Sequence, residues 1–457
     1  MSMADIDKNL WILTEERPKK EVIKIIIDKS STIKNLNIVI ENFKIEPVIE
    51  NNKFLHYFKI SDVKSDKIKN IYIRLISSKS SFVDFLVFLQ KDEPNPEQIL
   101  KNCIFAIEET KTNSYDSRNT AMGQRSSKFN TLNYYIQKYK AQTKPVMFFS
   151  HEQADEDHKS VNFINRSLYH LECGIEFWGK NSSNFKKFES LEEFIELKNQ
   201  IADTNTRKND TPIRITKEKN VIKNSALLAN PNKNNKKYTG RIGHDPNMGQ
   251  IPLIAKVIRS LGWTKKITII NHQILQNRIG INKFVNLANF IKFELENCKL
   301  PKSEFNFDYW EYEKNKEKVA TILAQVILEN NNFVTIFDNH GGCEKSYFHN
   351  KNNEEIKIDK KFSQDGGKIP DIVMRDDKNK IIYQFEGKKF DALNKGLEEI
   401  KHFDLFEKKF LKVCYPEYKY KRSLVINGGE KKNIDEVDFQ LDKNNNLIFR
   451  DKVNFSF

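Results

Sequence analysis

Two acidic residues and a lysine lie at the ends of two short apolar segments within Ile369–Lys389. Asp371 begins the first segment, the polar sequence DDKN at 376–379 predicts a turn, and Glu386 and Lys388 end the second segment. Residues two positions apart in a strand point to the same face, so Glu386 and Lys388 share a face. A hairpin turned at this DDKN sequence brings Asp371 close to them. We therefore predict that two carboxylates and an ammonium group converge at one point.

This combination of side chains suits the hydrolysis of a phosphate ester. Paired carboxylates hold a hard divalent cation such as Mg²⁺ and leave its other coordination positions to water. The cation stabilises the charge that develops on a phosphate oxygen and lowers the pKa of a bound water. A nearby ammonium group orients that water and offsets the charge of the scissile phosphate. The predicted chemistry is Mg²⁺-dependent cleavage of a phosphodiester.

The spacing of these residues is that of a known signature. Pro370-Asp371, followed after fourteen residues by Glu386-Gly387-Lys388, resembles the motif of the PD-(D/E)xK nuclease superfamily, set in the hairpin which that superfamily uses. The resemblance implies that Asp371 and Glu386 are metal ligands and that Lys388 is the catalytic lysine. The alternative is an ordinary hairpin with charged ends.

A second set of similar residues occurs earlier in the chain. Asp84 lies in the apolar segment FVDFLVFL, and Glu109-Thr110-Lys111 ends the segment CIFAIEETK. Strand parity places Glu109 and Lys111 on one face and Glu108 on the other, which favours Glu109 as the partner of Lys111, although the Glu108-Glu109 doublet leaves this assignment open by one residue.

This E-T-K sequence, with a basic helix after it, resembles the active-site strands of type II restriction endonucleases. We predict a second catalytic set of Asp84, Glu109 and Lys111, with Asp84 and Glu109 as metal ligands. The alternative is a retained fold whose acids only cap a sheet.

Two catalytic centres in one chain would solve a geometric problem, because a DNA duplex has two antiparallel strands. The resemblance implies that large restriction enzymes sometimes take this form. We therefore expect a type II restriction endonuclease, a Mg²⁺-dependent hydrolase that cleaves double-stranded DNA at a short specific sequence. Other nucleases of the superfamily, acting in repair or on non-specific DNA, and a non-catalytic DNA-binding protein with a nuclease-like fold are the alternatives.

The elements that must position these residues form two blocks with similar order. The first block predicts strands and one helix at Ile71–Ser77, Phe82–Leu89, Cys103–Glu108, Thr120–Lys140 (helix) and Pro145–Phe149. The second predicts Asn315–Leu328 (helix), Phe333–Phe337, Asp371–Met374, Lys380–Phe385, Asp391–Lys412 (helix) and Arg422–Ile426. This order predicts an α/β fold with two restriction-endonuclease-like domains, each a mixed central sheet flanked by helices.

Charge indicates what lies between the two blocks. The 457 residues carry a net charge of +14, and the segment Arg207–Lys266 alone contains fourteen basic and three acidic residues. Such an excess favours a polyanionic partner, and DNA is expected. Within this segment we predict a loop at Asn230–Lys237, a helix at Gly249–Trp263 and a strand at Lys265–Asn271. The expected domains are 1–200, a basic central segment 201–290 that contacts DNA, and 291–457.

Several classes of protein are disfavoured by what the sequence lacks. Its apolar segments are too short for a membrane span, and the start MSMADIDKNL is not typical of a secretory signal, so we expect a cytoplasmic protein. The five cysteines lie at least 45 positions apart, which excludes a C-x-x-C zinc or redox motif. The sequence has neither a phosphate loop of P-loop type nor a methyltransferase motif such as N-P-P-Y. A cognate DNA methyltransferase is therefore expected as a separate, functional partner.

Overall fold

The computed structural model describes most of the chain. The described ranges are 7–77, 82–110, 122–149, 159–171, 176–178, 186–203, 213–226, 246–271, 281–296, 309–314, 317–339, 346–352, 354–358, 362, 366–430 and 434–450. Among the residues in these ranges, no helix is long and apolar enough to cross a membrane.

The described strands and helices are numbered in chain order. The strands are β1 (Asn9–Thr14), β2 (Val39–Ile40), β3 (Ile45–Glu50), β4 (Lys53–Ile60), β5 (Val63–Lys64), β6 (Ile71–Ser77), β7 (Phe85–Gln90), β8 (Cys103–Thr110), β9 (Lys144–Phe149), β10 (Glu176–Trp178), β11 (Arg214–Lys217), β12 (Val221–Ala226), β13 (Lys266–Asn271), β14 (Glu294–Leu295), β15 (Glu311–Tyr312), β16 (Val334–Asp338), β17 (Ser346–His349), β18 (Glu355–Ile358), β19 (Ile372–Asp376), β20 (Ile381–Lys389), β21 (Lys419–Asn427), β22 (Val437–Leu441) and β23 (Leu447–Phe449). The α-helices are α1 (Lys20–Lys34), α2 (Met122–Lys138), α3 (Lys159–His170), α4 (Leu191–Asp203), α5 (Pro246–Ser260), α6 (Ile281–Ile291), α7 (Glu317–Asn330), α8 (Leu393–Lys401), α9 (Asp404–Phe406) and α10 (Lys412–Cys414).

The chain divides into two compact units. Unit 1 comprises Met1–Ile76, Gln90–Asp92 and Tyr312–Phe457, and unit 2 comprises Ser77–Leu89 and Glu93–Glu311. This division differs from the three consecutive segments expected from the sequence. The first 76 residues belong with the C-terminal part, and the basic central segment belongs to unit 2.

The main sheet of unit 1 is mixed and has the order β16-β19-β20-β21-β22-β23. β19 pairs antiparallel with β16 and β20, β20 and β21 run parallel, as do β21 and β22, and β23 returns antiparallel. Helix α7 packs against this sheet, and each of its residues from Val319 to Leu328 is buried. The strands predicted around the DDKN turn are confirmed, and the turn lies between β19 and β20.

The helix predicted at Asp391–Lys412 is interrupted. α8 ends at Lys401, and α9, a π-helical turn (Glu407–Leu411) and α10 follow it. Arg422 of β21 explains the break, because its guanidinium donates hydrogen bonds to the backbone oxygens of Ile400 (3.2 Å) and Lys401 (2.8 Å) at the end of α8. A cation that bonds the last carbonyls of a helix satisfies groups that have no partner within the helix.

In the N-terminal part of unit 1, β1 pairs parallel with β6, β6 pairs antiparallel with β4, and β4 pairs antiparallel with β3. Side-chain and backbone contacts join this part to the C-terminal part of the unit. The guanidinium of Arg17 forms ion pairs with Glu329 of α7 and, at 3.1 Å, with Asp338 of β16. The backbone nitrogen of Phe54 donates to the backbone oxygen of Asn445 at 2.9 Å.

Unit 2 contains two mixed sheets. In one, β7 and β8 pair antiparallel, whereas β8 and β9, and β9 and β10, run parallel. The other has the order β11-β12-β13-β14, with β11 antiparallel to β12. The helix and strand predicted in the basic segment are confirmed as α5 and β13, while its predicted loop, Asn230–Lys237, lies outside the described residues. The protein is therefore mixed α/β with several mixed sheets.

Candidate active site

Backbone pairing of β19 with β20 places Asp371 beside the Glu-Gly-Lys sequence. Ile372 is opposite Phe385, so the residues immediately outside this pair, Asp371 and Glu386, are neighbours. The backbone nitrogen of Asp371 donates to the oxygen of Phe385 at 3.0 Å. In return, the backbone nitrogen of Gly387 donates to Oδ2 of Asp371 at 2.8 Å. The Asp371 carboxylate is therefore held against the end of β20.

Lys388 lies between two carboxylates. Its Nζ forms an ion pair with Oε1 of Glu386 and a second one, 2.9 Å long, with Oε2 of Glu399 on α8. The side chains of Lys388 and Glu386 are only 12% and 11% exposed, so solvent screens their interaction weakly. All three predicted residues, Asp371, Glu386 and Lys388, are thus brought together, and Glu399 joins them.

Two glycines make this arrangement sterically feasible. A Cβ on Gly387 would lie 2.4 Å from Oγ1 of Thr321, a buried residue of α7, and 3.3 Å from Oδ2 of Asp371. A Cβ on Gly396 of α8 would lie 2.8 Å from Cγ of Lys388. The absence of a side chain at these positions lets α7 and α8 approach β20 closely enough to enclose the site.

Burial dominates the electrostatics of the two acids. Burial raises the pKa of Asp371 to about 6, and the charge of Glu317 on α7 contributes to the rise. The hydrogen bond from Gly387 and the charge of Lys388 oppose it in part. Burial and the neighbouring Asp371 charge raise the pKa of Glu386 to about 8, against the effect of Lys388. Because the two carboxyl groups interact, these pKa values describe the pair more than either residue.

Lys388 stays protonated. Burial alone would lower the pKa of its ammonium group, but the hydrogen bonds and charges of Glu386 and Glu399 outweigh burial and raise it. The pKa of Glu399 is lowered, because its contact with Lys388 outweighs the effect of burial. Lys388 is therefore a fixed cation, suited to orienting and stabilising anions and not to accepting a proton.

The carboxylates fit a hard divalent cation. Within the described residues, no hydrogen bond engages Oδ1 of Asp371 or Oε2 of Glu386, so each acid has one oxygen left for a ligand. Mg²⁺ typically binds one or two carboxylates and keeps several waters. In the described part of the chain there is no group of three or more His, Cys, Asp or Glu side chains able to hold a metal. Asp371 and Glu386 could hold such a cation through these two oxygens.

The earlier candidate residues are arranged differently from the expectation. Asp84 precedes β7 directly, and its Oδ2 accepts a hydrogen bond from the backbone nitrogen of Glu109 at 2.7 Å. Among the described residues, no hydrogen bond or ion pair engages the Glu109 carboxylate, and Lys111 lies outside them. Instead Nζ of Lys128, on α2, is 2.8 Å from Oε2 of the buried Glu108 and 3.7 Å from Oδ1 of Asp84. The structure therefore brings together Asp84, Glu108 and Lys128.

Glu399 is not among the site residues expected from the sequence, because it lies on a helix. The sequence favours Lys128 only as one of four residues at a helix start that suit phosphate contacts, together with Arg118, Gln124 and Arg125. The buried face of α8 gives a signal for Glu399. Gly396 and Ile400 are the buried residues of α8, so Glu399, three positions after Gly396, lies at the edge of the face that packs on the sheet. No comparable signal selects Lys128 from its basic neighbours in sequence.

Searches of protein-family models, of curated proteins and of solved structures each find no match to this chain.

Proposed function

We propose that the protein is a Mg²⁺-dependent endonuclease of the type II restriction class, which hydrolyses phosphodiester bonds in double-stranded DNA at a short specific sequence. The observation that carries this proposal is the convergence of Asp371, Glu386 and Lys388 at the end of one hairpin. Three further observations support it. The hairpin consists of the strands expected from the sequence, each acid has one carboxylate oxygen without a described partner, and the chain has a net charge of +14.

The reaction adds water across a P–O bond. The water oxygen bonds to phosphorus and one ester P–O bond breaks. The water loses a proton, and the departing alkoxide gains one, so that it leaves as a hydroxyl group. Asp371 and Glu386 would hold the cation, whose contribution is to stabilise charge developing on the phosphate. Lys388, fixed by Glu386 and Glu399, supplies a positive charge and hydrogen-bond donors to the phosphate and to the attacking water.

Incubation of the purified protein with supercoiled plasmid and a viral genome, with Mg²⁺ or with EDTA, tests this proposal. Discrete fragments that need Mg²⁺ are expected. A smear would replace the restriction enzyme with a non-specific or repair nuclease. Retarded mobility without any cutting would make the protein a DNA-binding protein and overturn the enzymatic proposal.

Lys388→Met and Lys389→Met form a matched pair of variants for this assay. Both remove one lysine from the end of β20, but Lys389 is exposed whereas Lys388 contacts Glu386 and Glu399. Loss of a charged group that stabilises the transition state typically reduces kcat by about a hundred- to a thousandfold. We expect this loss in Lys388→Met only, with DNA binding retained in both. Wild-type cleavage by Lys388→Met would rule out this site.

A further inference from the structure

We propose that Asp84, Glu108 and Lys128 form a second cation-binding, phosphate-directed centre in unit 2, in place of the Asp84, Glu109 and Lys111 set that strand parity favours. The centre would bind Mg²⁺ or Mn²⁺ through the carboxylates of Asp84 and Glu108. Its catalytic role rests on the proposed nuclease function, whereas its cation binding does not.

The strand register at this centre is the same as at the Asp371 site. In unit 1, the residue after Asp371 pairs with the residue before Glu386, as Ile372 is opposite Phe385. In unit 2, the residue after Asp84 pairs with the residue before Glu108, as Phe85 is opposite Ile107. Counting from these antiparallel pairs, Asp84 corresponds to Asp371 and Glu108 to Glu386.

A hydrogen bond from the backbone gives the same correspondence independently. Oδ2 of Asp371 accepts from the nitrogen of Gly387, the residue that follows Glu386. Oδ2 of Asp84 accepts from the nitrogen of Glu109, the residue that follows Glu108. Glu109 thus occupies the position of Gly387 and is not the second acid.

The surrounding strands extend the match. β20 is antiparallel to β19 and parallel to β21, and β8 is antiparallel to β7 and parallel to β9. A helical segment follows each acid-bearing strand before the next strand of the sheet begins, α8 in unit 1 and α2 in unit 2. Two hairpins of unrelated sequence therefore present an Asp and a Glu from the same topological positions.

The lysine reaches the second centre from a different element. By the same counting, Lys388 corresponds to Thr110, which has no charge, and Lys111 corresponds to Lys389. Lys128 of α2 provides the ammonium group instead, contacting Glu108 at 2.8 Å and lying within 3.7 Å of Asp84. Glu108 is 2% exposed, but Asp84 and Lys128 are 17% and 25% exposed, so solvent reaches the centre.

Counting bound Mn²⁺ by electron paramagnetic resonance tests the centre without any need for cleavage. We expect two Mn²⁺ ions on the wild-type protein and one on Glu108→Gln, with the remaining ion lost when Glu386→Gln is added. Asp84→Asn, which retains an oxygen to accept the Glu109 hydrogen bond, should also bind one ion and serves if Glu108→Gln fails to fold. Glu196→Gln, at an exposed helical position of unit 2, is the control.

The competing assignment predicts the opposite result for Glu109→Gln. Loss of one Mn²⁺ in Glu109→Gln with both ions retained in Glu108→Gln would overturn the proposal, as would a wild-type protein that binds one ion only.

If the protein cuts plasmid, Glu108→Gln and Lys128→Met should accumulate nicked circles, because one of two strand-cleaving centres is lost. Two Mn²⁺ ions without any cleavage would leave the centre standing and refute the nuclease. Cleavage with unchanged linear product in Glu108→Gln and Asp84→Asn would refute the centre and leave the nuclease standing.

Discussion

At the scale of single residues, the site combines two acids that resist ionisation with a lysine that stays charged. Burial raises the pKa of Asp371 to about 6 and that of Glu386 to about 8 in the protein without metal. Protons therefore compete with a cation for these carboxylates, and competition fades as the pH rises through this range. Titratable neighbours from the packed elements are Lys388 on β20, Glu399 on α8 and Glu317 on α7.

We predict that the affinity of the Asp371 site for Mn²⁺ rises with pH between about 6 and about 8. Each proton displaced by the cation gives about a tenfold increase per pH unit below the pKa. Titrations of Glu108→Gln, which isolates the Asp371 site, measure this dependence. An affinity that is flat or falls over the range would contradict the ionisation of these acids on binding.

The same shifts have a consequence for stability. The pKa values of Asp371 and Glu386 are higher in the folded protein than in the unfolded chain, so the folded state holds more protons. Without metal, the free energy of unfolding therefore falls as the pH rises from the ordinary carboxyl pKa values to about 6 for Asp371 and about 8 for Glu386. Glu386→Gln should reduce that fall. Glu398→Gln, on the exposed side of α8, is a suitable control because its side chain lies at the surface and does not contact Asp371 or Glu386.

Gly387 offers a prediction about packing. An added Cβ would meet Oγ1 of Thr321 at 2.4 Å, and overpacking of this kind typically costs about 1–3 kcal/mol. We therefore expect Gly387→Ala to lower the free energy of unfolding by that amount in urea titrations. Thr321→Ala removes the clashing oxygen and leaves the remaining Thr321 atom at 3.6 Å, so the double variant should recover most of the loss.

A double-mutant cycle shows whether the contact with Thr321 is the reason why position 387 requires glycine. Thr321→Ala alone loses the hydrogen bond that Oγ1 donates to the backbone oxygen of Glu317. If the effects of Gly387→Ala and Thr321→Ala simply add, the contact does not determine the requirement for glycine.

At the scale of elements, α8 positions the lysine that β20 carries. A Cβ on Gly396 would lie 2.8 Å from Cγ of Lys388 and 3.1 Å from Cδ2 of Leu424, while alanine is favoured over glycine in a helix by about 1 kcal/mol. Gly396→Ala should therefore change stability little and displace Lys388.

We expect Gly396→Ala to reduce cleavage by about ten- to a hundredfold with Mn²⁺ binding retained, because small misplacements of reacting groups are costly. Single-turnover cleavage measures the loss. In a Lys388→Met background the same change should have no further effect. A further loss there would mean that Gly396 acts through something other than the lysine.

The elements also show which parts of the fold the sequence predicts. The hairpin β19–β20 was predictable because its signals are local, namely two short apolar segments on either side of a DDKN turn. The end of α8 was not, because it depends on Arg422, a residue of a later strand. Strand parity alone favours Glu109 over Glu108 and leaves the choice open by one residue, whereas the pairing of Phe85 with Ile107, which parity cannot reveal, places Glu108 beside Asp84.

At the scale of the whole molecule, the basic segment has a smaller excess of unpaired positive charge than its composition predicts, because some of its basic residues form ion pairs. Four of its described basic residues form ion pairs, three of them with acids from outside the segment: Arg214 with Asp203, Lys217 with Glu192, Lys223 with Glu218 and Lys266 with Glu294. Folding brings three of these acids from outside the segment, so a count of charges within the segment overestimates its local excess of positive charge.

The NPNKNNKK sequence contributes three further lysines to the basic segment. Lys233, Lys236 and Lys237 lie outside the described residues, and the sequence places no acid between Glu218 and Asp245. If they contact phosphates, each contact contributes about 0.9 to the slope of log affinity against log salt concentration. We therefore predict that replacing all three by Gln reduces that slope by about 1 to 3.

Replacing Lys217, Lys223 and Lys266 by Gln is the matched control, since either triple variant lowers the net charge from +14 to +11. Binding of a short DNA duplex, measured by fluorescence anisotropy at several salt concentrations, separates the two effects. A larger change for the first triple variant assigns DNA contact to the NPNKNNKK sequence. Equal changes would show that the protein attracts DNA through its total charge, because a specific phosphate contact depends on which lysines are removed and a general attraction depends only on how many.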